Sequence, residues 1–395
     1  MENNNLLLQH ILACNEKCEK ENVKNILILY DERVCFIGDS CMRFDMLEIF
    51  KSFFKNARVQ LNWQNVTYND IYFAILKNNP YIDEMSNHDW QDINFRLFDV
   101  IICINYKESY LLEILTNRYE SSINYNHCKT AIFSMSSLAL NLTNKSVTTV
   151  FPNHNELTEF VNQYPHTPQV YISNEEKEWA NQTLKMYGLE EDEQLVILLD
   201  SSSSRAKLLK MDVYFKVLEH ILSMNKTKIL IFDEKGLGKK LLYKEWLTKE
   251  QAGKIIFTTN LNLRQALCIM SSNYTKLILG PCTGLLHCAS GIYNTFVRNS
   301  MKTDDVPVMI TYTGKYERED DNANLWWGTS PLVNCLILRK TATGKEVKML
   351  SELSDQEKQE SKNILPCSEY TSAIIIDYLK KVHQNTADKE GIALS

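Results

Sequence analysis

The stretch Leu277-Ile-Leu-Gly-Pro-Cys-Thr-Gly-Leu-Leu-His-Cys-Ala-Ser290 constrains this chain most. Its short apolar run, Leu277 to Leu279, stops at Gly280-Pro281, as a strand covered on both faces does. Leu285, Leu286, Ala289 and Ile292 then recur at helical spacing. A buried strand, a tight turn and a helix beginning near Thr283 and Gly284 are predicted. The first amides of such a helix have no internal partners and carry the positive end of its dipole. Gly284 lets an anion approach the backbone closely, so the turn suits a phosphate, with His287 one turn on. The same residues also read as an ordinary strand–helix connection in which His287 only packs.

The alternation continues along the chain. Residues 1–22 are polar with a few leucines and read as a loosely attached helix. Strands are predicted at Asn25–Tyr30, Arg58–Asn62, Phe98–Ile104 and Lys129–Phe133. Asp31 to Asp39 reads as a loop. Phe44, Leu47, Ile49, Phe50, Phe53 and Phe54 then give a helix one apolar face. Pro165 and Pro168 mark a boundary. Beyond it, Val170–Ser173 leads into a helix from Asn174 with acidic residues in its first turn. Further strands fall at Gln194–Leu199, Lys228–Phe232, Lys254–Phe257, Lys276–Leu279 and Val306–Ile310. A last helix is expected over Ser368–Gln384, with Ala373, Ile374, Ile376, Tyr378 and Leu379 on or near its buried side.

Strands separated by helices argue for an α/β fold with parallel sheets covered on both faces. The expected organisation is a helical extension (1–22), a first α/β domain (23–168), a second (169–366), and a C-terminal helix and tail (367–395). That last helix is expected to pack back toward the first domain. Ligands of such sheets bind at the carboxyl ends of the strands, here in a cleft between the halves.

A length of 395 residues suits two domains. The net charge of −6 gives no overall pull toward nucleic acid. No apolar run approaches the roughly 18 residues of a membrane span, and the opening Met1-Glu-Asn-Asn-Asn-Leu is not a signal peptide. Eleven scattered cysteines with no Cys-x-x-Cys pair fit a reducing cytoplasm, with the thiols used as small hydrophobes. No metal site is expected.

Two segments of the second half suit one ligand. Asp200-Ser-Ser-Ser-Ser-Arg-Ala-Lys207 directly follows a predicted strand. Its hydroxyls, among them Ser203 and Ser204, its loop amides and Lys207 suit a diphosphate, although a solvated serine loop reads the same way. Thr283-Gly284 stands just past another strand end. Glu234, after a third, could accept ribose hydroxyls. In the first half, Asp39 of Ile37-Gly-Asp39-Ser-Cys41 is placed either to cap a helix or to act as a general base. There is no Gly-x-x-x-x-Gly-Lys-Ser/Thr loop, which excludes a P-loop ATPase. There is also no Asp-x-Asp pair. Gly38-Asp39-Ser40 matches the nucleophile block of GDS-type serine hydrolases, but no histidine follows an aspartate by three residues.

Taken in order, several segments resemble glycosyltransferase family 9, the ADP-heptose:lipopolysaccharide heptosyltransferases. Ile26-Leu-Ile-Leu29, Ile37-Gly-Asp39 and Asn78-Asn-Pro-Tyr-Ile-Asp-Glu84 are similar to its amino-terminal half. Ile172-Ser-Asn-Glu-Glu-Lys-Glu-Trp-Ala180 is similar to its interdomain helix, Lys207 with Tyr214 to its Lys-Arg-Trp-Pro block, and Cys282-Thr-Gly-Leu-Leu-His287 to its Asp-Ser/Thr-Gly-x-x-His signature. The resemblance spans about residues 25–345. It implies a GT-B fold, two Rossmann-like α/β domains with parallel sheets facing a central cleft. It further implies a cytoplasmic, inverting and metal-independent transfer of a sugar, expected to be heptose, from an ADP-linked donor, with no other cofactor. The acceptor would be a glycan, a glycolipid of the lipopolysaccharide type or a peptide, reached by peripheral contact with the inner membrane surface where it is a lipid.

Carried over, Asp39 would be the base and Lys207 would lie near the donor phosphates. Thr283, Gly284 and His287 would bind the diphosphate, and Glu234 the ribose. Cys282 stands where the signature has aspartate, Leu208-Leu209-Lys210 replaces Arg-Trp-Pro, and Asp45 replaces a proline. These departures keep a second reading open, a nucleotide-sugar-binding protein with reduced catalysis. A third, a serine hydrolase using Ser40, lacks its histidine partner.

Overall fold

The structure is a computed structural model and describes residues 2–32, 35–119, 129–140, 147–164, 167–233, 236–315, 327, 330–359 and 361–389. The chain forms two compact units, Met1–Pro168 and Gln169–Ser395, divided at the second proline of the pair. Among the described residues no helix is long and apolar enough to cross a membrane.

The first unit holds a five-stranded parallel sheet in the order β3-β2-β1-β4-β5. Its strands are β1 (Asn25–Asp31), β2 (Arg58–Trp63), β3 (Glu84–Ser86), β4 (Val100–Asn105) and β5 (Ala131–Ser134). The central β1 has Ile26 to Leu29 fully buried, as a strand covered on both faces must. Helices α1 (Glu2–Glu16), α2 (Ile37–Arg43), α3 (Met46–Phe53), α4 (Asn69–Leu76) and α5 (Glu108–Tyr119) belong to this unit.

Two expectations are corrected here. The segment 1–22 is not a loose extension. Leu7 and Ile11 of α1, one turn apart, are buried in the core. The Asn15 side chain closes the edge strand, accepting from the Ile132 amide and donating to the Ile132 carbonyl, both at 2.8 Å. The span Asp31 to Asp39 is not all loop, because α2 begins at Ile37.

The second unit holds a seven-stranded sheet in the order β12-β11-β10-β9-β6-β7-β8. Its strands are β6 (Gln194–Leu198), β7 (Thr227–Phe232), β8 (Ile255–Thr258), β9 (Thr275–Pro281), β10 (Val308–Thr313), β11 (Val333–Thr341) and β12 (Gly344–Met349). All pairs are parallel except β11 with β12. The helix Asn174–Met186 starts on a capping box of Ser173 and Glu176. Glu176 also accepts from Arg264 at 2.9 Å and so ties this helix to Leu263–Met270.

The C-terminal helix, Ser372–Lys389, packs on the helix Met211–Leu222 of its own unit. Ile375 and Leu379, four residues apart, are its buried positions, while Ala373 is exposed. Cys367 is also in this core, so residues from 367 onward continue the second unit.

Gly280 fixes how β6 and β9 end. A Cβ there would stand 2.5 Å from the Leu199 Cβ and 2.9 Å from the Leu199 carbonyl oxygen. The Leu199 amide donates to the Leu279 carbonyl at 2.9 Å, so neither chain can retreat without losing a ladder bond. Gly280→Ala should therefore cost about 1–3 kcal/mol by overpacking. The measurement is a fall in denaturant midpoint at unchanged slope. Gly253→Ala, where an added Cβ meets open space, is the control and should change it little.

Candidate functional site

The segments singled out in the second half meet at the carboxyl ends of adjacent strands β6 and β9. Thr283 is the N-cap of the helix Gly284–Arg298, with extended backbone, and its side chain makes no capping bond. Thr283, Gly284 and Leu285 are half-exposed, so the positive end of a fifteen-residue helix opens to the surface there. Ser202 of the preceding loop donates from its hydroxyl to the Cys282 carbonyl at 3.5 Å, which holds the serine loop against this turn. Ser204 caps the single helical turn Arg205–Lys207 by accepting from the Ala206 amide at 3.2 Å. Ser203 is exposed.

His287 faces inward. It is buried, its Nε2 lies 3.8 Å from the Cys282 thiol, and its ring stacks on Trp327 at 3.9 Å with the planes 1° apart. Trp327 Nε1 donates to the same thiol at 3.3 Å. Burial first, and then the positive charge of Lys207, push the His287 imidazole down to about 3. His287 is therefore neutral near pH 7, and Lys207 stands within electrostatic reach of the helix that Thr283 caps. Cys282 is buried too, so its backbone lies along the turn while its thiol belongs to the packing behind it. Trp327 gave no signal in the sequence, being forty-five positions beyond Cys282 with no periodic pattern around it.

Asp200 serves the scaffold. It pairs with Lys239 at 2.6 Å and accepts from the Tyr243 hydroxyl at 2.9 Å, with Tyr214 a further 2.7 Å away. Glu234, expected at the ribose, lies outside the described residues. Its neighbour Asp233 is buried and accepts from the Lys239 amide at 3.1 Å, at the start of the helix Lys239–Trp246.

In the first unit the carboxylates at the strand ends differ in access. Asp31 is buried and held by Lys107 at 2.6 Å. Glu108 is buried and accepts from the hydroxyls of Ser134 at 2.5 Å and Ser136 at 2.7 Å and from the Val150 amide at 2.7 Å. Glu32 is buried against Arg43, Ser40 and Tyr72. The Asp39 side chain retains 21% exposure and stands 4.0 Å from Arg43. It sits in the first turn of α2, whose N-cap is Phe36, so it meets the helix dipole without being the cap residue. Ser40 is fully buried and donates to Glu32 at 2.8 Å, which removes it as an accessible nucleophile.

Two α/β units of this kind, one with a parallel sheet and one with a sheet parallel but for its β12 edge, make a GT-B fold. The sequence matches no protein-family model and no curated protein. Among solved structures, the chain is similar to the Escherichia coli ADP-heptose lipopolysaccharide heptosyltransferase II, with 13% identity, a TM-score of 0.57, and 91% of this chain and 99% of that one covered. It is similar to the glycosyl transferase family 9 protein of Veillonella parvula DSM 2008 at 14% identity and the same TM-score of 0.57, covering 94% and 99%. The likeness lies in the fold.

The buried neutral imidazole carries a pH dependence. With the folded value near 3 and the ordinary value at 6.5, the unfolded chain binds the extra proton between these limits. Stability from this site is complete above about pH 6.5 and is lost as the pH falls toward 3. By pH 4 the loss is on the order of 3 kcal/mol. Denaturant melts at pH 7.5 and 4.5 should show a smaller acid loss in His287→Gln than in the unaltered chain.

Proposed function

We propose that the chain is an inverting glycosyltransferase that takes a sugar from a nucleoside-diphosphate donor and passes it to a hydroxyl acceptor. What supports this most is the junction of the serine loop with the open helix start at Thr283, with Lys207 in electrostatic reach of that helix. Anionic oxygens fit such a junction, because amides and an ammonium group answer them together.

In this reading the acceptor oxygen attacks the anomeric carbon from the face opposite the diphosphate. Asp39 takes the acceptor proton as the new carbon–oxygen bond forms. The bond to the diphosphate breaks, and the leaving group departs with the electron pair. Lys207 and the amides around Ser203, Ser204, Thr283 and Gly284 stabilise the charge that grows there, worth about 3–4 kcal/mol for each well-placed donor. No divalent ion is assigned a step. The resemblance and the shared fold favour ADP-heptose as donor and a lipopolysaccharide-type glycan as acceptor, with the reaction in the cytoplasm.

A binding protein of the same fold with reduced catalysis is the second reading. The observation favouring it is the Cys282 thiol, turned into the packing with His287 and Trp327 where the resemblance implies a carboxylate.

A thermal-shift panel of ADP, GDP, UDP and their sugar forms tests the donor assignment. A ligand at a hundred times its dissociation constant adds about 2.7 kcal/mol, and ADP forms should give the largest shift. No shift with any nucleotide would sink the reading. In a donor-hydrolysis or transfer assay, Lys207→Ala should lower turnover at least about a hundredfold, and EDTA should leave the rate unchanged. Tight nucleotide binding without turnover on any acceptor selects the second reading.

A further inference from the structure

Asp39 lies on α2, and what seats α2 is Glu32, a residue with no part in the proposed chemistry. The Glu32 carboxylate is buried at the end of β1 and is met by three side chains. Arg43 Nη1 contacts Oε1, while Ser40 Oγ at 2.8 Å and the Tyr72 hydroxyl at 3.0 Å both donate to Oε2. Two of these partners, Ser40 and Arg43, follow Asp39 on α2, one and four positions on. The other end of the same guanidinium, Nη2, lies 4.0 Å from Asp39 Oδ2. Arg43 is thus shared between a buried carboxylate in contact and a half-exposed one further out.

We propose that Glu32 is a positioning residue for Asp39, seating α2 and taking up most of the Arg43 charge, so that Asp39 meets a fixed and partly neutralised cation. The inference rests on the reading of Asp39 as the base. A base needs proton affinity, and an unopposed guanidinium within about 4–6 Å drains it from a carboxylate. A second carboxylate on that cation gives part of it back. Among the described residues, Tyr30 on β1, Tyr72 on α4 and Cys35 also face Glu32. Burial holds both phenols far above their ordinary range and pushes the Cys35 thiol up to about 11. Arg43 is held above its ordinary value by the negative partners around it, against its burial. Among these described groups, Glu32 and Arg43 are the ones that bring charge to Asp39 near neutral pH.

Two substitutions should act in opposite directions. Glu32→Gln keeps the shape and an acceptor for Ser40 and Tyr72 but leaves the Arg43 charge unopposed, so the Asp39 midpoint should fall by about one unit. Arg43→Gln removes the cation, so the midpoint should rise by about as much. The readout is the carboxyl carbon resonance of Asp39 in the full chain labelled with carboxyl-carbon-13 aspartate, assigned by its loss in Asp39→Asn. A role confined to packing would lower the melting temperature in both variants without separating the two midpoints. Midpoints that stay in place, or that move the same way, overturn the proposal. If Arg43→Gln does not fold, Glu32→Gln decides alone, through a midpoint that falls or does not. The titration needs no substrate. Opposed shifts together with full transfer activity in Asp39→Asn would retain the positioning role and remove the catalytic one.

Discussion

Adjacent parallel strands release their chains on the same side of a sheet, and β6 and β9 do so with their last residues in contact. Leu199 and Gly280 approach so closely that a methyl group cannot stand between them. The two segments that follow, one rich in serine and one starting a long helix, consequently emerge side by side. Neither is distinctive alone, since serine loops and helix starts are common. In the proposed function their juxtaposition makes a place for a pyrophosphate, and it follows from one glycine in a strand.

The helix start is kept open by what lies behind it. Thr283 makes no side-chain cap, so the first amides are left for a ligand or for water. His287, one turn on, could have brought a positive charge there, but burial between Cys282 and Trp327 keeps it neutral. In the proposed function the backbone dipole and Lys207 draw the anion. In the first unit the problem is inverted. Among the described residues, Asp31, Glu32 and Glu108 are buried and met by donors from the scaffold, while Asp39 is more accessible. Each such pair costs desolvation, which makes the buried Glu32–Arg43 pair a weak contribution to stability and a plain constraint on geometry.

Most of the sheet was legible because a strand covered on both faces must be apolar throughout, and runs such as Ile26–Leu29 and Val100–Ile104 are. The strands missed were of other kinds. β3 is three residues on an edge, and β12 is an antiparallel edge carrying Lys345 and Lys348. β11 is apolar, but its tryptophan-rich and charged approach hid where it began. The site was legible where a local rule applies, as with glycine and threonine at a helix start after a strand. It was illegible where tertiary packing decides. Nothing near Glu32 shows that it will lie under Arg43 and Tyr72, and nothing near His287 announces Trp327. The sequence left the histidine two readings, a ligand contact or plain packing. Its spacing is that of a helix interior, and the burial of Cys288, Ala289 and Ile292 around it drew it into the core.

The two halves of the proposed reaction make opposite electrostatic demands, and the chain answers them with different materials. A departing diphosphate needs positive potential that does not have to be reorganised as charge develops, which backbone amides fixed by a helix supply better than mobile side chains. An arriving hydroxyl needs a carboxylate that still wants a proton, which a nearby arginine would defeat if it stood alone. At Thr283 the scaffold withholds a charge by burying an imidazole. At Asp39 it withholds one by setting a second carboxylate on the same guanidinium. In both places the side chain that decides the chemistry is a buried neighbour of the one that would carry it out.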